Sequence, residues 1–337
     1  MKENTKFGFI KKMEFNYASI SRLMLVALLL VEMVVFSRLT PFFLQLDNLL
    51  PVGREIATLG IVAIGQTMCI LTGGFNLSVG GCAAFSGILV GYLAAPSQLG
   101  LPYGIAFAVA MLAALLVGVI NGALITKAKI NPLITTMAMN FILGGAIVLI
   151  SRQPITVNTE AFKLIGATTF GEIRFPLPII TLAALYIGFS LMLKYTVFGR
   201  HVYCAGSNPL SAKVGGINVD RVVFKVYVIS SLLSGFAGIQ LASRIATSNP
   251  NIGSSYALES IAAAVLGGTV LAGGEGKLFG TFLGVLVTGV LSNGLIMIGV
   301  SQAWRDIATG IILIFAVLMQ IITKNARKTV KQIAKEA

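Results

Sequence analysis

Windows of about 20 mostly apolar residues, the length that crosses a bilayer as an α-helix, recur near 20–36, 55–72, 77–95, 103–126, 132–151, 176–195, 223–243, 258–272, 278–299 and 304–323. Short polar connections separate them. The pattern predicts an all-α polytopic membrane protein with about ten transmembrane helices, the eighth being the shortest, because lipid offers no water to an unpaired backbone. Two glycine-rich interruptions cut the apolar pattern, ILTGGFNLSVGG (residues 70–81) and VLGGTVLAGGEGKLFG (residues 265–280). Glycine pairs inside apolar helices mark broken helices whose freed backbone can face a pathway, and their recurrence in both halves predicts an internal repeat.

The connections are too short for a soluble module, so residues 1–337 read as a single transmembrane domain. Residues 1–19 form an N-terminal segment and 324–337 a basic C-terminal tail. Within the long basic loop 198–221, Asn208 can cap a helix, Pro209 suits its first position and Gly215 can end it. This predicts a short helix at about 209–214, more structure than a simple connection needs. A surface that docks a soluble partner is the functional reading.

Composition agrees with a membrane chain: 56% of residues are hydrophobic and 11% charged, against about 25% charged in soluble domains. The formal net charge of +13 orients the chain rather than attracting nucleic acid. With the N-terminus in the cytoplasm, only Arg38, Arg54, Arg152, Lys163, Arg174, Arg244 and Arg305 fall outside. The other 18 of the 25 Lys and Arg fall inside. Both termini are therefore expected in the cytoplasm. Cys69, Cys82 and Cys204 have no framework spacing and read as unpaired.

Asn76 and Ser78, just beyond Gly73 and Gly74, are candidates to line a solute path; local capping of the broken helix needs the same residue types. Gly267 and Gly268 are the corresponding candidates in the second half, and Asn140 is a polar group within a span. Amides at Asn121, Asn140 and Asn293 also suit bonds between helices. The spacings Gly87/Gly91, Gly118/Gly122 and Gly280/Gly284 suit close helix approach. Glu32 and Glu259 are intramembrane acids, functional candidates by default. A phosphate-loop reading of GGEGKLFG fails, since Leu271 stands where the motif needs glycine and Leu278 where it needs Ser or Thr.

Four stretches, LTGGFNLSVG (71–80), INPLITTMAMNFILGGAIVL (130–149), GRHVYCAGSNPLSAKVGGINV (199–219) and ESIAAAVLGGTVLAGGEGKLFGT (259–281), resemble in order and spacing the permease subunits of sugar-importing ABC transporters. The likeness is to the ribose, galactose and xylose type, within the branched-chain permease superfamily. It implies import of a monosaccharide or similar small polar solute across a bacterial inner membrane. The implied partners are a second permease subunit (identical copy or paralogue), an extracytoplasmic binding protein and a cytoplasmic ATPase that hydrolyses the ATP. No cofactor is implied in this chain, and no enzymatic activity. Loop 198–221 becomes the ATPase-coupling element, with Gly206, Asn208, Pro209, Ser211, Ala212, Lys213, Gly215 and Gly216 as its coupling residues. Two positions depart from the family: Asn76 replaces an acid, and Gly144 stands where relatives often carry Arg. If these two charges pair, Asn76→Asp alone should fold poorly and Asn76→Asp with Gly144→Arg should recover. The residues themselves leave open an ion-coupled carrier or a passive channel for a small polar solute.

Overall fold

A computed structural model describes residues 23–170, 175–315 and 317–318. The segments 1–19 and 324–337 singled out from sequence lie outside the described residues. The described chain is helical apart from two small two-stranded ladders. Helix α1 covers 23–39. It is followed by α2 (Leu46–Leu71), α3 (Val79–Ala94), α4 (Tyr103–Thr126), α5 (Pro132–Ile150), α6 (Glu160–Ala167), α7 (Leu177–Tyr195) and α8 (Val197–Ser207). Then come α9 (Pro209–Val214), α10 (Val219–Ile245), α11 (Tyr256–Leu266), α12 (Leu278–Met297) and α13 (302–315).

Among the described residues six helices (α2, α4, α5, α7, α10 and α12) are long and apolar enough to cross a membrane, and α3 and α11 are shorter apolar helices. The chain is thus a multi-pass membrane protein. Most span boundaries fall within a few residues of the hydropathy windows. Helix α2 is the exception: it starts nine residues before its window, running through Pro51, because Asp47, Arg54 and Glu55 lower local hydropathy without breaking the helix. Helix α11 has only 11 residues, about 16 Å at 1.5 Å per residue, roughly half of a hydrocarbon core. The chain covers the remaining depth as the non-helical segment 249–255.

Part of that segment packs on protein, where Ile252 is buried. A β-carbon at Gly80, in the first turn of α3, would lie 2.5 Å from the Gly253 carbonyl oxygen, and Gly253 itself adopts φ +72°. Toward the other end of α3, where Ser248 meets Gly91, β1 (Ile155–Thr156) pairs antiparallel with β4 (Thr247–Ser248); β2 (Thr169–Phe170) pairs with β3 (Phe175–Pro176). Between them lies α6, a helix the mixed-charge loop did not announce. The α10 residue Ser243 fixes it, donating to the Phe162 carbonyl at 2.6 Å and accepting from the Gly166 N–H at 2.8 Å.

Helix α10 is the centre of the molecule and packs on α2, α3, α4 and α6. Its neighbours approach through glycine: a β-carbon at Gly118 of α4 would stand 2.7 Å from the Val228 Cα, and one at Gly87 of α3 would stand 3.1 Å from the Gly238 oxygen. Gly280 and Gly284 of α12 press in the same way on Gly267 and Ala263 of α11. Close packing is what replaces the hydrophobic drive between helices in lipid. Bonded amides add to it. Asn48 and Asn293 exchange two hydrogen bonds, at 3.0 and 3.1 Å, joining α2 to α12.

Gly118→Val should therefore push α4 off α10, costing about 1–3 kcal/mol. Gly145→Ala, with nothing within 4 Å of the added carbon, should be neutral or slightly stabilising. Thermal unfolding of the two purified variants in one detergent checks the contrast; equal melting temperatures would contradict it.

Candidate functional site

Both interruptions end a helix in the same way. After α2, Gly73 takes φ +82°; its N–H bonds the Ile70 oxygen at 2.8 Å, and the Gly74 N–H reaches back to the Cys69 oxygen at 3.0 Å. After α11, Gly268 takes φ +84°, its N–H bonds Val265 at 2.9 Å, and the Thr269 N–H reaches Ala264 at 3.0 Å. Each is a Schellman cap, which needs a left-handed residue and so favours glycine. Gly73 and Gly268 are the equivalent residues, with Gly267 one step earlier in right-handed conformation.

Between α2 and α3 the chain runs without helix through Phe75 and Asn76, and three neighbouring helices satisfy it. The Asn76 amide donates to Ser230 Oγ of α10 at 3.0 Å, and its oxygen accepts from the Ser78 N–H at 3.1 Å and the Ser78 hydroxyl at 2.6 Å. Asn121 of α4 donates to Ser78 Oγ at 2.9 Å. Tyr227 of α10 donates to the Phe75 carbonyl at 3.0 Å. From α5, Thr136 accepts from the Leu77 N–H and Asn140 Oδ1 from the Gly81 N–H, both at 3.0 Å. Asn76 and Ser78 are fully buried in this conformation, so here they cap and anchor a broken helix. Asn140 is half-buried.

The two glycine breaks meet each other. The Gly274 N–H donates to the Leu71 carbonyl at 2.9 Å. A β-carbon on Gly273 (φ +87°) would be 2.8 Å from the Gly73 nitrogen and 3.1 Å from the Gly206 oxygen. One on Gly206 would overlap the Leu71 carbonyl oxygen and lie 2.7 Å from the Gly274 nitrogen. Gly206 is near the end of α8, and Ser207 sits against Gly274. Tyr203, one turn earlier, donates to the Gly276 carbonyl at 3.0 Å; burial raises its phenol pKa, which keeps it a donor.

The short helix predicted at 209–214 is α9, Pro209–Val214. Asn208 caps it, accepting from the Ser211 N–H at 3.0 Å, and Pro209 is in its first turn. It ends as expected, at Val214 with Gly215 as its C-cap. Gly215 keeps φ −73°, and Gly216 (φ +81°) takes the left-handed position, its N–H bonding Lys213 while that of Ile217 bonds Ala212. The preceding stretch, expected as loop, is helix α8, capped by Thr196. Helix α9 buries Ala212 in the same cluster as Leu71 and Val202, yet leaves Leu210 78% and Val214 91% exposed.

Residues missed from sequence are Tyr227, Ser230, Thr136 and Tyr203, which hold the breaks. A visible signal was the polar set Tyr227, Ser230, Ser231 and Ser234 on otherwise apolar α10, at helical spacing. Among the described residues no cluster of His, Cys, Asp and Glu could hold a metal ion. The three cysteines are free. Glu259 lies near Glu55, Asp306 and Arg305.

The expected charge pair is not supported by this geometry. Residue 76 lies at the level of Thr136, eight residues and so about 12 Å along α5 from Gly144, and Gly144 is exposed with nothing within 4 Å of an added carbon. An acid at 76 would lose the amide donor to Ser230 and stand buried without a base, a cost of several kcal/mol. Asn76→Asp should thus cut the yield of monodisperse protein severalfold, and adding Gly144→Arg should not restore it. Size-exclusion profiles of the single and double variants decide; recovery in the double would revive the pair.

A family model described as "Branched-chain amino acid transport system / permease component" matches residues 48–317. The ribose import permease protein RbsC of Bacillus subtilis (strain 168) is 39% identical over 294 residues, covering 86% of this chain and 90% of that protein. The fructose import permease protein FrcC of Rhizobium meliloti is 34% identical, covering 78% and 75%. The autoinducer 2 import system permease protein LsrD of Klebsiella pneumoniae is 30% identical, covering 91% and 92%. No solved structure matches the chain. The match spans both helix breaks, α9 and the helices that hold them, so this chain belongs to the branched-chain amino acid transport system / permease component family.

Proposed function

We propose that this chain is the membrane permease of an ATP-driven importer that moves a monosaccharide, or a similar small polyhydroxylated solute, into the cytoplasm. The observation that carries the reading is α9: a short capped helix with Leu210 and Val214 exposed, in a chain related over most of its length to import permeases for ribose and fructose. Water-exposed apolar groups on one short helix fit a protein partner better than solvent. A separate ATPase subunit is that partner, and Gly206, Asn208, Pro209, Ser211, Ala212, Lys213, Gly215 and Gly216 make up the coupling element within loop 198–221.

The excess of Lys and Arg on the α8–α9 side supports cytoplasmic termini and ten crossings, with α1, α3, α11 and α13 completing the six long spans. Helix α6 and the two ladders then face outward, where a binding protein would deliver solute. A second permease subunit, identical or paralogous, completes the path. Gly73, Gly74, Asn76, Ser78, Asn140, Gly267 and Gly268 line it once the two joined breaks open together. Solute affinity can remain low in the permease because the delivering protein supplies it.

Purification from native membranes should bring down a subunit that hydrolyses ATP. Leu210→Asp with Val214→Asp should weaken that association by about tenfold or more, as loss of exposed anchors does, at unchanged permease yield. A well-folded wild-type chain without any ATPase would instead favour an ion-coupled carrier or channel.

A further inference from the structure

We propose that the backbone junction of Gly206 with Gly73, Gly273 and Gly274 is the point through which displacement of α9 reaches both helix breaks at once. The proposal deepens the importer reading and rests on α9 seating in an ATPase.

The argument is one of contact and stiffness. Helix α9 follows Gly206 by only three residues, and Asn208 between them is fixed as its cap. Gly206 touches backbone rather than side-chain ends: the Leu71 carbonyl on one side and the Gly274 nitrogen on the other. Side-chain contacts can absorb a shift by changing rotamer, whereas backbone in van der Waals contact transmits it. The two breaks are themselves joined by the Gly274–Leu71 hydrogen bond. Tyr203 adds a second tie from α8 to Gly276. A pull or push at α9 therefore cannot move one break without the other. Schellman caps make the breaks suitable receivers, since a helix end held by two hydrogen bonds can open without unravelling the span behind it.

Cys69 reports on the junction. It is fully buried, and its carbonyl accepts the Gly74 N–H of the first cap. With Cys82→Ala and Cys204→Ser as the parent, it is left as the one thiol among the cysteines of the sequence. In the permease–ATPase complex, trapping with ATP and vanadate should raise maleimide labelling of Cys69 on the order of tenfold, within the range of about 5–150-fold typical of coupled sites. Tyr203→Phe removes the tie without steric change, and Gly206→Ala wedges the junction. Each should reduce the rise to about twofold or less while the ATPase still co-purifies. If Gly206→Ala does not accumulate, Tyr203→Phe alone decides. A parent without any nucleotide-dependent rise, or variants with the parent's full rise, would overturn the junction and leave the importer reading standing. A parent that never retains an ATPase overturns the importer reading and the junction with it.

Discussion

A helix that stops inside a membrane leaves backbone N–H and C=O groups with no water to take them, and each unmet group costs several kcal/mol. This chain ends two apolar helices at glycine breaks, and much of its architecture satisfies the backbone groups left there. Schellman caps at Gly73 and Gly268 close the helix ends. The non-helical stretch 75–78 and the first turn of α3 draw their remaining bonds from α4, α5 and α10 through Asn121, Thr136, Asn140, Tyr227 and Ser230. Helix α10 sits at the centre because it must reach the first break with its polar groups while it packs on four neighbours. Glycine at the crossings of α3, α4 and α12 permits the close approach on which those bonds depend.

The same economy explains where a transporter can move. Interfaces such as α4 on α10 are apolar and glycine-tight, and they give little when strained. The breaks are held largely by hydrogen bonds, each replaceable by water if the site hydrates. They lie beside α8, which leads into α9 with its exposed Leu210 and Val214. A conformational cycle that opens the joined breaks would expose Asn76 and Ser78, whose polar groups now satisfy only protein partners. On the proposed function, structural capping and solute contact would be successive roles of the same residues rather than competing ones.

Much of this was legible in the sequence because hydropathy, capping and glycine placement are local signals. The six long apolar helices, α9 with its Asn-Pro start, and both breaks follow from runs of neighbouring residues. The early start of α2 was hidden, since charged residues near the membrane surface depress hydropathy without ending a helix. Helix α6 and the ladders were hidden as well, because distant Ser243 and the strand Thr247–Ser248 stabilise them. The meeting of Gly73, Gly206 and Gly273 is a contact among backbones widely separated in sequence, and no local pattern encodes it. The expected charge pair failed for the same reason: family residue types at 76 and 144 carry no information about the two helical turns between them.

The central claim is that the two breaks behave as one mechanical unit. Hydrogen exchange of the permease–ATPase complex in nanodiscs, with and without ATP and vanadate, tests it most directly. The account predicts that amides in 72–78 and 267–276 lose protection together on trapping, while those in the middle of α10 keep theirs. A change confined to one break, or equal change along α10, would contradict it.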